Sequence, residues 1–213
     1  MREVVPFEPG AALLRSLVVF DLETTGLYPG NDEIIQIAAL RLADGAIRRD
    51  DAFFSYVNPG RPIDPFITNY TGISDRDVAG APGPQEAVNA FSEFCGSSLL
   101  VAHNGHAFDI PFLHRATTRA RRTLRPVSYI DSMHISWQVW GRGRGISHSL
   151  DHVVSRLRVP SGDVRRHDAR GDVLLLARCV VAMLERMTRA RRGYRLRVYR
   201  SHLPAFSPRR GRG

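Results

Sequence analysis

The hydrophobic pattern in the first quarter of the chain predicts three β-strands. Apolar runs cover residues 17–20, 33–42 and 52–57, and the turn-forming sequences YPGND and ADG separate them. Short links of this kind join neighbouring antiparallel strands, whereas parallel strands need a longer crossover. We therefore expect these strands to form an antiparallel meander.

From residue 84 onward the pattern alternates between helices and strands. Pro84 opens a helical stretch with one apolar face, and SLLVAH (residues 98–103) is typical of a strand. The series continues with a helix beyond Pro111, a short strand in VSYIDSM, a serine-capped helix in SHSLDHVVSRL and a buried helix over residues 168–187. A meander followed by this alternation predicts an α/β fold with a mixed β-sheet flanked by helices.

Length and charge divide the chain into a body and a tail. A chain of 213 residues with 43% hydrophobic residues can bury one sizeable core, so we expect a single domain over residues 1–187. All 30 basic residues are arginine, and ten of them lie in residues 186–213, which contain no acid. Residues 188–213 therefore indicate a flexible, arginine-rich tail, which is either a solvated segment without a specific ligand or a contact for nucleic acid.

Neither a membrane span nor a secretion signal is visible in the sequence. No run of about 18 apolar residues occurs, and residues 1–15 lack a basic start followed by an apolar core. Cys95 and Cys179 are far apart and show no metal-binding spacing, which favours buried free thiols. We therefore expect an intracellular protein without a membrane partner.

Two acids at the end of the first predicted strand are the first candidates for chemistry. Asp21 and Glu23 are two residues apart, so their side chains project to the same face of a strand. Like charges at the edge of an apolar sheet cost free energy unless a cation joins them. Oxygen ligands favour Mg²⁺ or Mn²⁺. The alternative is a strand-end pair that solvates a loop or caps a turn.

Two later segments supply further acids beside predicted helices. Asp109 follows a buried strand at the expected start of a helix, where plain N-capping is the alternative interpretation. His167 and Asp172 flank the start of the last helix, which Asp168 is a candidate to cap. Asp172 has apolar neighbours, so its charge needs a partner. A lone histidine such as His167 is more often a surface residue than a catalyst.

In this order, the segments FDLETTGL, HNGHAFDIPFL and HDARGDV resemble the signature of the DEDDh, or DnaQ-like, family of 3′-to-5′ exonucleases. The signature consists of Asp-x-Glu, a later Asp and a closing His-x-x-x-x-Asp, and the resemblance covers residues 17–176. It implies a ribonuclease H-like fold. It also implies a two-metal hydrolase that releases nucleoside 5′-monophosphates from single-stranded or frayed 3′ ends, with DNA favoured over RNA.

The resemblance further implies roles for individual residues. Two Mg²⁺ or Mn²⁺ ions would be held by the carboxylates of Asp21, Glu23, Asp109 and Asp172. His167 would be the general base that takes a proton from the attacking water.

Contacts with the terminal nucleotide are implied in the same way. They would come from the first motif and the linker after the meander: Thr24, Thr25, Gly26, Leu27 and Ile73. Leu27 and Ile73 would wedge the base, with core packing as the alternative, and Gly26 would leave room for the nucleotide. His103 and Asn104 would either bond the terminal nucleotide or lock their own loop.

Two branches of the family are similar to the chain in different motifs. HNGHAFD, HSLDHVVSRL and HDARGDVLLL are similar to the three-prime repair exonucleases, which would make the protein an autonomous exonuclease and a homodimer. The linker TGISDRDVAGAP is close to that of polymerase proofreading subunits, so association with a polymerase is the second interpretation. A third interpretation is a nucleic-acid-binding or interaction module in which catalysis is secondary.

Two other motifs are weaker candidates. His148 and His152 are four apart on a predicted helix, a spacing that could bind zinc only if a third ligand came near. Surface histidines are the simpler interpretation. The sequence GRGRG (residues 141–145) is a flexible basic loop, which either touches the substrate backbone or serves only as a link.

Overall fold

The computed structural model describes residues 2–8, 11–119, 123–162, 164, 167–190 and 193–206, which form a seven-stranded sheet with helices on both faces. The strands are β1 (Arg2–Pro6), β2 (Ser16–Thr24), β3 (Ile34–Ala43), β4 (Ala46–Tyr56), β5 (Leu99–Ala102), β6 (Leu124–Asp131) and β7 (Arg195–Pro204). The helices are α1 (Pro65–Thr71), α2 (Asp75–Val78), α3 (Pro84–Cys95), α4 (Asp109–Arg119), α5 (Ser132–Trp140), α6 (Leu150–Leu157) and α7 (Ala169–Ala190). A 3-10 turn (Ala12–Leu14) precedes β2.

The order of strands across the sheet is β1-β7-β6-β5-β2-β3-β4. β2, β3 and β4 form the predicted antiparallel meander, whereas β5 pairs in parallel with both β2 and β6. Because β2, β5 and β6 run in the same direction, their carboxyl ends meet at one edge of the sheet. We call this the carboxyl edge. Thr24, Ala102 and Asp131 mark the three strand ends there.

Alternate side chains of β2 pack against different helical layers. Leu17 and Val19 belong to the core cluster that contains the buried face of α7, whereas Phe20 belongs to the cluster with α3 and α4. Successive side chains of a strand point to opposite faces, so the odd-numbered residues of β2 face α7. Asp21 and Glu23 continue this odd-numbered series at the carboxyl edge.

Several helix boundaries agree with the sequence analysis. Pro84 is the first residue of α3, and Ser149 occupies the N-cap position of α6. The structure also contains β1, α1, α2 and α5, which were not predicted. These elements have 5, 7, 4 and 9 residues, and periodicity is a reliable signal only over windows of about 11 residues or more.

The prediction of a flexible tail from residue 188 onward is wrong for much of its length. α7 continues to Ala190, and β7 pairs antiparallel with both β1 and β6. Leu196 and Leu203 of β7 are buried in the two core clusters. The apolar positions between the arginines therefore decide the structure of this segment, and the sheet extends past the predicted domain boundary. Residues 207–213 lie outside the described residues.

Both cysteines are buried and free, as predicted. Burial raises the pKa of the Cys95 thiol to about 12. A thiol with so high a pKa stays protonated at neutral pH and is inert as a nucleophile. In the described part of the chain, no helix is long and apolar enough to cross a membrane.

Removing β7 tests whether this segment is an integral strand. A variant truncated after Gly193 lacks the strand between β1 and β6, so β1 loses its partner and the edge of β6 is exposed. We expect it to lose cooperative thermal unfolding and to aggregate, as followed by circular dichroism and size-exclusion chromatography. A variant truncated after Phe206 keeps β7 and should unfold like the full chain. Equal unfolding midpoints for the two variants would contradict the assignment.

Candidate functional site

Three carboxylates from two distant segments converge at the carboxyl edge. Asp21 and Glu23 lie on the face of β2 that packs on α7, and Asp172 lies in the first turn of α7. One oxygen of each carboxylate lies within 4.8 Å of the other two. Three negative charges at this separation repel one another strongly unless a cation lies between them.

A buried glutamine of the neighbouring strand holds the start of α7 in place. Gln36 lies opposite Glu23 in the register of β2 and β3 and is fully buried. Its Oε1 accepts a hydrogen bond from the Ala169 amide at 2.7 Å. That amide is one of the first in the helix, whose N–H groups lack partners within the helix itself. Sequence analysis missed Gln36, although a single polar residue inside the apolar run EIIQIAAL is a signal for it.

Asp109 is the first residue of α4 and is only 2% exposed. Burial raises the pKa of its carboxyl to about 7 and Asp131 adds to this rise, whereas backbone hydrogen bonds from Asp109 and Leu22 oppose it. Within the described residues, Asp109 Oδ1 has no hydrogen-bond partner. Leu22, which lies between Asp21 and Glu23 in the chain, is one of the backbone groups that lower this pKa, although Asp109 is not part of the 4.8 Å cluster.

The donor atoms of this site fit divalent metal ions. They are all carboxylate oxygens, which Mg²⁺ and Mn²⁺ prefer. The unpaired buried oxygen of Asp109 and the close approach of the other three carboxylates each cost free energy that a cation would offset. Turn or helix capping, the alternative interpretation of these acids, explains neither feature.

His167 precedes α7 and lies beside the carboxylate cluster. Its backbone is in the left-handed region with φ of +58°, and its amide donates a hydrogen bond to Asp172 Oδ2 at 3.3 Å. The imidazole packs on Tyr70 of α1, with 4.1 Å between ring centroids. Asp168 accepts a hydrogen bond from the Arg170 amide at 3.0 Å and pairs with its guanidinium. Asp168 therefore caps α7, and Asp172 belongs to the cluster.

The turn that follows β2 is organised by Asp32. Its carboxylate accepts a hydrogen bond from the Tyr28 amide at 2.9 Å and pairs with Arg61 at 3.0 Å. Arg61 also donates to the Thr25 hydroxyl at 2.7 Å. A Cβ atom on Gly26 would lie only 2.5 Å from this carboxylate. The absent side chain of Gly26 therefore leaves room for Asp32, and the room it was predicted to leave for a nucleotide stays a prediction.

The residues predicted to contact the terminal nucleotide differ in their exposure. Leu27 is 72% exposed, whereas Thr24 is buried and its hydroxyl donates to the Gly26 carbonyl at 2.6 Å. Ile73 is only 3% exposed and packs within a small hydrophobic cluster. Core packing, the alternative interpretation, therefore holds for Ile73 and not for Leu27.

His103 and Asn104 lie in the loop that follows β5. The two ring nitrogens of His103 lie 2.7 Å from Ser132 Oγ and 2.8 Å from the His148 carbonyl oxygen, so the ring joins this loop to the regions where α5 and α6 begin. Asn104 has a φ of +61°, and its amide donates to Asp131 Oδ1 at 3.0 Å. The His103 ring contacts favour the loop-locking interpretation, whereas Asn104 is held through its backbone amide and its side chain is exposed.

Two exposed aromatic residues beside His167 were missed by sequence analysis. Phe66 and Tyr70 of α1 are 71% and 53% exposed, and their ring planes are 11° from parallel. Tyr70 is also the residue on which the His167 ring packs. The signal in the sequence was a pair of large apolar side chains four residues apart in DPFITNYTG, a spacing that places both on one face of a helix.

The predicted alternative of a zinc site at His148 and His152 is not supported. His148 is buried, with Nδ1 2.6 Å from Ser136 Oγ, whereas Nδ1 of the exposed His152 lies 2.7 Å from Ser149 Oγ. Among the residues that the structure describes, only the carboxylate cluster brings three ligand side chains together.

A comparison with protein families matches most of the chain. The model of the exonuclease family RNase_T matches residues 18–180. This range contains both segments of the carboxylate cluster as well as Asp109 and His167.

Two curated relatives are similar over most of this chain. A DNA polymerase III subunit epsilon-like protein of Rhodobacter capsulatus is 40% identical over 171 residues, which are 79% of this chain and 24% of that protein. A PolC-type DNA polymerase III of Caldanaerobacter subterraneus is 34% identical over 184 residues, which are 86% of this chain and 13% of that protein. The chain therefore spans a quarter or less of the length of these relatives. Their names correspond to the polymerase branch, the second of the two predicted.

Solved structures with the same fold are also nucleases. Cell-death related nuclease 4 (CRN-4) has a TM-score of 0.66 at 20% identity, covering 81% of this chain and 64% of that one. Exonuclease X in complex with 5′ overhanging duplex DNA has a TM-score of 0.62 at 23% identity, covering 83% of this chain and 95% of that one. These likenesses confirm the predicted ribonuclease H-like α/β fold.

Because the clustered carboxylates repel, neutralising one of them should stabilise the metal-free protein. Two unit charges ~4 Å apart interact by ~1 kcal/mol in water and by ~4 kcal/mol where the effective dielectric constant is 20. Since ~1 kcal/mol shifts the Tm of a domain of this size by ~2–4 °C, we expect Asp21→Asn to raise the Tm in EDTA by about 2 °C or more. Differential scanning fluorimetry measures this shift.

Divalent metal should reverse the order of the Tm values of the wild type and Asp21→Asn. Mn²⁺ should raise the Tm of the wild type and have little effect on Asp21→Asn, because binding to the folded state stabilises it. Asp50→Asn removes an exposed charge on β4 and is the matched control, with both Tm values expected to stay unchanged. A Tm of Asp21→Asn in EDTA at or below that of the wild type would contradict repulsion within the cluster.

Proposed function

Because the chain belongs to the RNase_T family of exonucleases, we propose that it is a 3′-to-5′ exonuclease that releases nucleoside 5′-monophosphates from single-stranded or frayed DNA. The observation that carries this proposal is the approach of the Asp21, Glu23 and Asp172 carboxylates to within 4.8 Å of one another at the carboxyl edge. Phosphodiester hydrolysis develops negative charge that must be stabilised in the transition state. A site that collects cations at the end of a rigid sheet is suited to that task.

Four carboxylates would hold two divalent ions, Mg²⁺ or Mn²⁺: Asp21, Glu23, Asp109 and Asp172. When bound, such ions stabilise charge on the phosphoryl group and lower the pKa of water. Contacts within the chain position these carboxylates. β2 and α7 bring the cluster together through their core packing, and α4 begins with the buried Asp109, the proposed fourth ligand.

We assign His167 the role of general base for the attacking water. Histidine is the side chain whose ordinary pKa suits proton transfer near neutral pH. The hydrogen bond from its amide to Asp172 keeps the residue beside the cluster, and the contact with Tyr70 limits the orientation of the imidazole.

The exposed surface around the cluster suits an unpaired terminal base. Leu27 lies in the turn after β2, Phe66 and Tyr70 lie on α1, and Arg61 ties the two segments together. We propose that the base packs between Leu27 and Tyr70, in place of the buried Ile73, with Phe66 beside it. Aromatic side chains stack on any unpaired base, which supports single-stranded or frayed ends as substrates.

Other proposed contacts of the terminal nucleotide are polar. They are the backbone around Thr24 and Thr25 and the exposed side chain of Asn104. Gly26 and His103 are instead assigned to support, because Asp32 occupies the space beside Gly26 and both ring nitrogens of His103 contact the protein.

Association with a polymerase is a second proposal, which the relatives favour. Both are named for DNA polymerase III, and this chain matches only a quarter or less of their length. The same names favour DNA over RNA as the substrate and an intracellular location. A module in which catalysis is secondary is disfavoured because all five residues of the catalytic signature are present. A homodimer stays a prediction.

An assay with labelled oligonucleotides tests the proposed activity. With Mg²⁺ or Mn²⁺, the wild type should convert 5′-labelled single-stranded DNA into a ladder of shorter products and act more slowly on matched RNA. His167→Ala should lower kcat by about 10²–10⁴-fold, the usual contribution of general acid–base catalysis. It should nevertheless keep the rise in Tm with Mn²⁺, because His167 holds no metal in this scheme.

The matched control is His114→Ala, which removes an exposed histidine of α4 and should keep full activity. A folded wild-type protein that yields no ladder would overturn the exonuclease proposal. Undiminished turnover by His167→Ala would overturn only the assignment of the general base.

A strand with an abasic 3′ nucleotide tests the proposed base contact. Base–aromatic stacking is worth ~1–3 kcal/mol, so Tyr70→Ala should raise KM for normal DNA by about 5–150-fold. Removal of the terminal base should raise KM for the wild type and have little further effect on Tyr70→Ala. Steady-state kinetics with both strands measures this coupling.

Phe206→Ala is the matched control, because Phe206 is also 53% exposed but follows β7 away from the carboxyl edge. It should respond to the abasic strand like the wild type. Independent, additive losses from Tyr70→Ala and the missing base would show that Tyr70 does not contact that base.

A further inference from the structure

The segment from α5 to the start of α6 is rich in cationic and aromatic residues and contains no acid. Residues 132–150 include two arginines, two tryptophans and two histidines. Arg142 and Arg144 lie in the GRGRG loop between the two helices, and both are exposed. We call residues 132–150 the arginine strip.

The arginines of this strip differ from others near the carboxyl edge. Three arginines near the edge are held in ion pairs with carboxylates: Arg61, Arg115 and Arg170. Over the residues that the structure describes, neither Arg142 nor Arg144 has an acidic partner. The Arg142 guanidinium lies 4.2 Å from the centre of the Trp137 ring. Two such cations on an exposed loop create a local field that attracts phosphates.

The strip is attached to the same edge of the sheet as the carboxylate cluster. α5 directly follows β6, which lies two strands from β2. Since neighbouring strands lie ~4.8 Å apart, the start of α5 is about 10 Å from β2 along the edge. His103 contacts both Ser132 at the start of α5 and the carbonyl of His148. The His148 ring contacts the Trp137 ring, with 6.3 Å between their centroids. The GRGRG loop connects these two residues in the chain, so both of its ends are held near this edge.

We propose that the arginine strip binds the phosphate backbone of a single strand on the 5′ side of the nucleotide in the catalytic site. The inference rests on the proposed exonuclease function and adds the path of the strand to it. Phosphates of a stacked strand lie ~3.4 Å apart along its axis and those of an extended single strand lie farther apart, so the start of α5, about 10 Å away, is reached within about three nucleotides. Arg142 and Arg144 follow α5 in the chain and contact phosphates on the 5′ side of that point, and the Trp137 ring offers a surface for a base.

Charge also distinguishes this path from one in the opposite direction. A strand leaving over α1 and α2 would pass Asp64, Asp75 and Asp77, which repel phosphates. The arginine strip itself contains no acid; of the two acids that flank it, Asp131 is buried and accepts hydrogen bonds from three backbone amides, and Asp151 lies beyond the loop in the first turn of α6. The strip is therefore the more favourable exit for a polyanion whose 3′ end lies at the carboxylate cluster.

The test combines strand length with salt concentration. We would measure KM for single-stranded DNA of 3 to 12 nucleotides with the wild type and with Arg142→Gln/Arg144→Gln, where these lengths bracket a reach of about three nucleotides. For the wild type, KM should fall as the strand grows past about four nucleotides, and for the double variant this fall should be lost. On the longest strand, the slope of log KM against log salt should decrease by about 0.7 per lost phosphate contact, or about 1.4 in all.

Three further variants make the result specific. Arg48→Gln/Arg186→Gln removes the same charge from two exposed positions away from the strip and should keep the wild-type dependence on length and salt. Arg142→Lys/Arg144→Lys keeps the charge and should restore most of that dependence. Arg144→Gln alone should reduce the salt slope by about 0.7, which provides the readout should the double substitution disturb folding.

The proposal would be overturned if the Arg142→Gln/Arg144→Gln variant kept the wild-type dependence on length. It would also be overturned if the Arg48→Gln/Arg186→Gln control lost that dependence equally, since net charge would then be the cause. A strip that binds an acidic protein segment instead would leave both dependences intact and so give the first of these results. Failure of the wild type to shorten any strand would be a failure of the exonuclease proposal itself, which is a different outcome.

Discussion

Repulsion among carboxylates at one edge of the sheet is the constraint on which this site depends. Asp21, Glu23 and Asp172 stand within 4.8 Å of one another because β2 and α7 are held together by apolar contacts such as those of Leu17 and Val19. Burying one such side chain contributes ~1.5–3 kcal/mol, so a few of them offset the repulsion of the charges. The core therefore holds these charges close together against their mutual repulsion, which divalent cations would reduce.

A few polar contacts turn this packing into a defined site. Gln36 holds the first turn of α7 through the Ala169 amide, and Asp168 caps the same helix through Arg170. With these groups in place, Asp172 does not have to cap the helix and belongs to the cluster. The ligands thus come from rigid elements of secondary structure, which position side chains more accurately than loops do.

The site and the surface around it have three chemically different parts. In the proposed function, the carboxylates would bind cations, the exposed aromatic rings of α1 would stack on bases, and the arginine strip would bind the phosphate backbone. A nucleic acid is a polyanion, so the anionic cluster alone would repel it. In the proposed function, cations in the site and arginines beside it would offset this repulsion.

Local patterns in the sequence were enough to predict the meander, the mixed sheet and the shared face of Asp21 and Glu23, because a strand alternates its side chains with a period of two. The tertiary structure alone decided that Ile73 is buried while Tyr70 is exposed beside His167, and that Gly26 makes room for Asp32. It also decided that the arginine-rich C-terminal segment contains a strand between β1 and β6. Such features depend on contacts between residues far apart in the chain, and neither periodicity nor composition records which distant residues meet.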